Sequence, residues 1–338
     1  MEEPRILLAH GGGGALMNDL IRTHFIRQFR NPVLARQSDS AVLQLPHNRI
    51  SFTTDSFVVD PIFFPGGDIG KLAVCGTLND LAVSGAKPLY LSVAFILEEG
   101  MLISELELII RSMAMAAEEA GVSIVAGDTK VVPKGKGDKV FITTTGVGTI
   151  ADETAEIGSG KKVRPGDLIL VNGAPGEHGI AVLLRRESFR LQSPLLSDCA
   201  NLYPLIREVL DVCPDVHFMR DATRGGMATV LCELAGMRKV GIELDEDQIP
   251  VNPGVADACE LLGLDPLYIA NEGKAVFVVP ELAAVKVLEV MKSHPLGVQA
   301  AIVGQVTEQH PGKVILNTSL GGRRWIDYLT GEQLPRIC

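Results

Sequence analysis

Short alternating and unbroken apolar runs mark the first half of the chain. "ISFTTDSFVV" (residues 50–59) and "LYLSVAFIL" (residues 89–97) are rich in β-branched and aromatic residues, which predicts two strands. "SELELIIRSMAMAAEEAG" begins with a capping box, Ser104 with Glu107, and stops at Gly121, which predicts a helix. "VSIVAGD" predicts a short buried strand running into Asp128, and "KVFITTTGVGTI" (residues 139–150) predicts another. The polar, glycine-bearing "ADETAEIGSGKKVRPGD" then predicts a linker. Beyond it "DLILVNGAPG" predicts a strand and turn, followed by helical patterns near 202–210, 227–237 and 282–292. Further strands are expected at 275–279, 300–306, 313–317 and 324–328. No internal repeat or low-complexity block interrupts the order. The expected architecture is α+β in two domains, 1–150 and 160–328, with a tail at 329–338.

A chain of 338 residues with 46% hydrophobic and 21% charged content has material for two globular cores. A formal net charge of −10 excludes nucleic acid and anionic membrane as main partners. An anionic small molecule stays open, because a metal ion can bridge carboxylates to phosphates. The richest apolar region is interrupted by Glu98, Glu99, Glu105 and Glu107, so no membrane span is expected. The start "MEEPRILLAHGGGG" lacks the features of a signal peptide. Six scattered cysteines form no C-x-x-C pair, so Cys75, Cys199, Cys213, Cys232 and Cys259 read as small buried hydrophobes in a reducing, cytoplasmic setting. The sixth, Cys338, is the last residue and is not part of a prenylation box.

Three aspartates follow β-type runs and precede turns: Asp55 in "TTDS", Asp80 in "LNDLA" and Asp128 in "AGDTK". Converging at a sheet edge, they would suit Mg²⁺ on a nucleotide; singly, each reads as a cap or turn residue. Gly11, Gly12, Gly13 and Gly14 precede a helical pattern, and their N–H groups can face phosphates. No G-K-[ST] follows, so this is not a Walker A loop. "FFPGGDIGK" offers Asp68 and Lys71 for phosphate or metal work. In "RDATRGG", Asp221 or Thr223 can cap a helix while Arg224 presents a phosphate fork. "ANEGKA" sets Glu272 in a glycine-flanked loop, as a general base or a solvated turn carboxylate. His10, His178 and His294 are isolated and read as satisfied or exposed.

These segments together resemble a known family. "HGGGG", "TTDSFVVDPIFFPGGDIGKLAVCGTLNDLAVSGAKPLYLS", "GDTKVV", "RDATRGG", "ANEGK", "SHPLG" and the terminal "PRIC" are similar to the HypE hydrogenase maturation proteins, across nearly the whole chain. One departure is "GEHG", with Glu177 where Asp is expected. The resemblance implies an N-terminal domain of the aminoimidazole ribonucleotide synthetase type that binds ATP with Mg²⁺ and forms a homodimer, and a second α/β domain. It implies that a carbamoyltransferase loads Cys338 and that ATP is spent to dehydrate the carboxamide to a thiocyanate. The cyano group then goes to iron on a hydrogenase maturation scaffold. By the same resemblance Asp55, Asp80 and Asp128 hold Mg²⁺, Lys134 and Arg224 steady the phosphoryl group, and Glu272 is the base.

An extended chain from Gly331 to Cys338 spans roughly 25 Å, enough to enter a cleft. A selenophosphate synthetase would need a Cys or selenocysteine near the first glycines, where His10 stands instead. An iron scaffold built on one cysteine lacks other soft ligands.

Overall fold

The computed structural model describes residues 3–11, 15–34, 41, 43–46, 49–186, 194–329, 334 and 336–338. The chain opens with helical turns: α1 (Ala15–Leu20) runs through a π-helical stretch, Ile21–Ile26, into α2 (Arg27–Phe29). Next come β1 (Ile50–Phe57), a small hairpin of β2 (Phe63–Phe64) and β3 (Gly67–Asp68), and α3 (Ile69–Val83). The first half finishes with β4 (Ala86–Glu98), α4 (Ile103–Glu119), β5 (Ser123–Val132) and β6 (Val140–Ile150). Four of these strands form a sheet in the order β1-β6-β4-β5, antiparallel except for the β4–β5 pair.

Register decides which side chains share a face. Asp55 stands opposite Thr144, which stands opposite Val93. Gly146 on the same face is so close to α3 that an added Cβ would lie 2.8 Å from Thr77. This inner face, with Phe57, Val93 and Phe95, builds the first core against α3 and α4. The other face carries Ile50, Phe52 and Ile96, which are 48%, 65% and 42% exposed.

The second half supplies β7 (Leu168–Val171), α5 (Glu177–Arg185), α6 (Tyr203–Val212), β8 (Phe218–Asp221) and α7 (Gly226–Arg238). It continues through β9 (Gly241–Asp245), α8 (Pro253–Leu262), β10 (Ala275–Val279), α9 (Glu281–Ser293), β11 (Ala301–Thr307), β12 (Val314–Asn317) and β13 (Arg323–Ile326). Its sheet has the order β13-β12-β9-β11-β7-β10-β8. Strand alternation splits this sheet between two cores. Ile169, Val171, Val276 and Val278 pack with α7, whereas Leu170, Phe277 and Val279 pack with α6 and α9.

Three local expectations are corrected. Glu107 turns to His24 at 2.9 Å, and α4 begins after Leu102 with no side-chain cap, so the Ser104 capping box is not made. Asp80 lies in α3, not at the end of a strand. That helix is buried on nearly every side, so its sequence shows no amphipathic period to announce it. Finally, β5 continues past Asp128 to Val132, leaving that aspartate inside the strand.

Candidate active site

The end of the chain is docked. Leu334 packs against the first core, and Ile337 is 3% exposed within it. The Arg336 carbonyl accepts from Arg186 Nη2 at 2.9 Å and from the Asp60 N–H at 3.2 Å. The Arg336 guanidinium bridges Asp138 at 2.6 Å and Asp60 at 3.5 Å. One residue further, the Ile337 carbonyl meets His178 Nε2 at 2.7 Å. These contacts place the partly buried Cys338 thiol among charged groups. Burial pushes that thiol well up, Glu272 and Asp55 push the same way, and the Arg224 guanidinium opposes them. Desolvation is the leading cause.

Glu272 sits where β10 is about to begin, and its backbone is fixed on both sides. Its N–H donates to Asp198 Oδ1 at 3.1 Å, and its carbonyl accepts from Asn79 Nδ2 at 3.2 Å. The next N–H, of Gly273, donates to Asp198 Oδ2 at 3.1 Å. A side chain at Gly273 would drive a Cβ to 1.9 Å from the Asp198 carbonyl oxygen, so only glycine fits. Asp198 and Glu177 also hold Lys274 Nζ, at 3.2 and 3.1 Å. Burial works against that ammonium charge, but the two carboxylates outweigh it and Lys274 is raised overall. The Glu272 carboxyl is different: it is buried, and its Oε1 has no hydrogen-bond partner among the described residues. Burial raises its pKa well above the ordinary range, with Asp221, Asp198 and Asp55 adding to the effect. The sequence alternative of a solvated turn carboxylate is therefore replaced by a desolvated carboxyl that holds its proton more tightly than usual.

Around this pair stand three further carboxylates. Asp55 comes from β1, Asp80 from α3 and Asp221 from the end of β8. Thr53 Oγ1 donates to Asp80 at 2.8 Å. All three are raised, burial first: Asp80 feels the negative charge of Asp55, and Asp221 feels Asp80 and Asp55 and reaches about 7. A divalent cation would relieve such crowding and carboxylate oxygens suit Mg²⁺, but no three His, Cys, Asp or Glu side chains among the described residues are grouped closely enough to form a ready metal site. Asp128 is not brought to them. It pairs with Ala94 on the opposite face of the sheet from Asp55 and binds Lys130 at 2.8 Å.

The other expected residues are dispersed. Arg224 lies beside Cys338, but α7 starts from Gly225 in a left-handed conformation, with neither Asp221 nor Thr223 capping it. Asp68 caps α3 through the N–H groups of Gly70 and Lys71, and Lys71 Nζ reaches the Gly66 carbonyl at 3.2 Å. Lys134 is exposed on the turn after β5, where its charge acts on Glu98. Gly11 ends a 3₁₀ turn, while Gly12, Gly13 and Gly14 lie outside the described residues. A cavity of about 320 Å³ between the N-terminal helical turns and the sheet, lined by Phe25, Phe95 and Asp128 among others, is large enough for part of a nucleotide.

Sequence reasoning missed Asp198 and Asp138, which carry no motif, and Asp60 and Asn79, which lie within the quoted family stretch but were given no role. It set aside His178, whose only signal was a histidine in a glycine turn.

Residues 37–150 match the family model of the AIR synthase related protein N-terminal domain, and residues 164–317 match that of the C-terminal domain. The chain is 49% identical over 340 residues to the carbamoyl dehydratase HypE of Rhodobacter capsulatus, covering 100% of this chain and 99% of that one. It is similar, at 46% identity and a TM-score of 0.94, to the crystal structure of a HypE in complex with ATP, covering 98% of this chain and 99% of that one. A HypE–HypF complex matches with a TM-score of 0.79 and 47% identity, covering 94% and 100% of the two chains. No helix among the described residues is long and apolar enough to cross a membrane.

Proposed function

We propose, because this chain belongs to the HypE family of carbamoyl dehydratases within the AIR synthase related proteins, that it dehydrates an S-carboxamide carried on Cys338 to a thiocyanate. The observation that carries the reading is the docked C-terminus: Cys338 lies within the fields of Glu272, Asp55 and Arg224. Bound MgATP supplies the phosphoryl group that turns the carboxamide oxygen into a leaving group.

The chain's own residues do the rest. Glu272, when ionised, takes one proton from the carboxamide nitrogen, and the departing phosphate takes the second as the C–O bond breaks and the C≡N bond forms. Overall one water is removed from the amide and consumed in ATP cleavage, so atoms balance. Asp55, Asp80 and Asp221 would hold the Mg²⁺ that arrives with the nucleotide, and Arg224 faces the charge that gathers beside the sulfur. Asp128 stays outside that set within the single chain. The burial of Ile337 and Glu272 keeps bulk water from the newly formed nitrile.

The division of labour we infer is residues 1–150 for ATP, Mg²⁺ and homodimer formation, 160–328 for the second domain, and 329–338 for the substrate-carrying tail. A carbamoyltransferase of the HypF kind loads Cys338, and an iron-bearing maturation scaffold of a [NiFe]-hydrogenase receives the cyano group, in the cytoplasm. The exposed Ile50, Phe52 and Ile96 on the uncovered sheet face support the homodimer.

The test is the intact mass of the C-terminal peptide after incubation with the carbamoyl-loading partner, then with MgATP. A carbamoyl adduct on Cys338 that loses one water only when ATP is present supports the function. A Cys338 left unmodified by an active partner, or an adduct that ATP does not change, overturns it.

A further inference from the structure

His178 is a buried imidazole with both nitrogens engaged, and neither contact belongs to the chemistry described above. Nε2 meets the Ile337 carbonyl at 2.7 Å and Nδ1 meets Ser197 Oγ at 2.8 Å. A carbonyl only accepts, so Nε2 carries the proton and Nδ1 must accept. The Ser197 hydroxyl is free to donate to it, because its oxygen already takes the Cys199 N–H at 3.1 Å. One tautomer satisfies every partner. The ring is held edge-on to Phe64 at 5.3 Å between centroids, and burial keeps it neutral against the nearby charge of Asp198.

We propose that His178, oriented by Ser197, is a positioning residue that docks the main chain of the C-terminal segment and so delivers Cys338 to Glu272. The proposal rests on the reading of Cys338 as the substrate carrier. Its recognition is of backbone, one residue before the cysteine, so it is the same whether the sulfur is bare, carbamoylated or cyanated. It also shares a rigid element with the base: Ser197 orients the imidazole, and the next residue, Asp198, fixes the N–H groups of Glu272 and Gly273. Ser197 is itself anchored by its N–H to the Pro65 carbonyl at 2.8 Å. Tail dock and base therefore keep a set separation. Arg186 on the end of α5 assists by holding the Arg336 carbonyl and, at 3.0 Å, the Asp60 carbonyl.

The experiment is the rate of Cys338 alkylation by iodoacetamide in the full chain at pH 8, read from the mass of the C-terminal peptide. Docking shields the thiol, so the rate reports how often the tail is free. Losing one buried hydrogen bond corresponds to about a tenfold increase in His178→Ala. His178→Gln, whose amide can donate to the same carbonyl, should stay within about threefold of the parent chain. Equal rates in His178→Ala and the parent, with the melting temperature unchanged, would overturn the proposal, as would a His178→Gln rate as fast as that of His178→Ala. Should His178→Ala fail to fold, Ser197→Ala carries the test: an unconstrained ring loses its tautomer preference and the rate rises, while an unchanged rate overturns the dock. Alkylation needs neither ATP nor the loading partner, so the two readings fail separately. A thiol shielded by His178 but never dehydrated would remove the proposed function and leave the dock; dehydration with no change in shielding would do the reverse.

Discussion

At the scale of single residues the site depends on carboxyls that are not in their ordinary state. Glu272 was legible as a glycine-flanked acid, but its raised pKa was not, because that comes first from burial and then from the negative charges of Asp221, Asp198 and Asp55 on three other segments. Replacing it by Gln keeps the shape and removes the proton acceptor. Glu272→Gln is expected to slow dehydration by about 10²–10⁴-fold while leaving nucleotide affinity within about twofold, measured by single-turnover mass analysis and calorimetry. His178 gives a second prediction, this one on stability. Its folded pKa is lowered by burial, so the unfolded chain takes up a proton near pH 6.5 while the folded chain does not. Above that pH the group adds nothing; as pH falls below it, the unfolded state is favoured by up to about 1.4 kcal/mol per unit until the folded pKa is reached. Urea midpoints at pH 7.5 and 5.5 should therefore diverge more for the parent than for His178→Gln, and parallel lines would refute the assignment of a neutral, buried ring.

Helix α3 shows why elements were harder to read than motifs. Its segment carries the most recognisable stretch of the chain, yet its residues are buried on nearly every side. The helix is wedged between the first sheet and the loop that carries Glu272, so it has no polar face to reveal a 3.6-residue period. By contrast, the β10 strand at Ala275–Val279 was legible, since an unbroken β-branched run bounded by a glycine loop has few other readings. The register that sends Asp128 to the other face of its sheet lies in strand pairing, which no local pattern encodes. The close packing of α3 carries its own prediction. A Cβ at Gly76 would come within 2.9 Å of the Phe57 ring and 3.8 Å of Glu272 Oε2. Gly76→Ala is expected to cost about 1–3 kcal/mol by overpacking against Phe57, and any shift of that ring passed on to the adjoining Glu272 would lower dehydration more than nucleotide affinity. A chain that melts as the parent does and turns over at the parent's rate would show that Phe57 yields without moving the base.

The two sheets of the molecule are covered unequally, and that asymmetry is a statement about assembly. The second sheet is packed on both faces, as its nearly continuous apolar strands require. Among the described residues the first packs its core on one face, and the other exposes Phe52, Ile50 and Ile96 beside a row of hydroxyls, including the Thr54–Thr145 and Ser56–Thr143 pairs at 3.0 and 2.9 Å. Clustered exposed apolar residues of this kind mark association surfaces rather than solvent faces. A homodimer formed here would bury Phe52 against a second copy and would also cover the face from which Asp128 projects. A charge at the centre of that patch should be intolerable in the dimer and harmless in the isolated chain, because Phe52 is 65% exposed and takes no part in the first core. Phe52→Asp is therefore expected to convert a dimer to a monomer in sedimentation velocity, with a melting transition that no longer depends on protein concentration. If the parent chain already sediments as a monomer, or the variant remains a dimer, then the uncovered face is not the assembly surface.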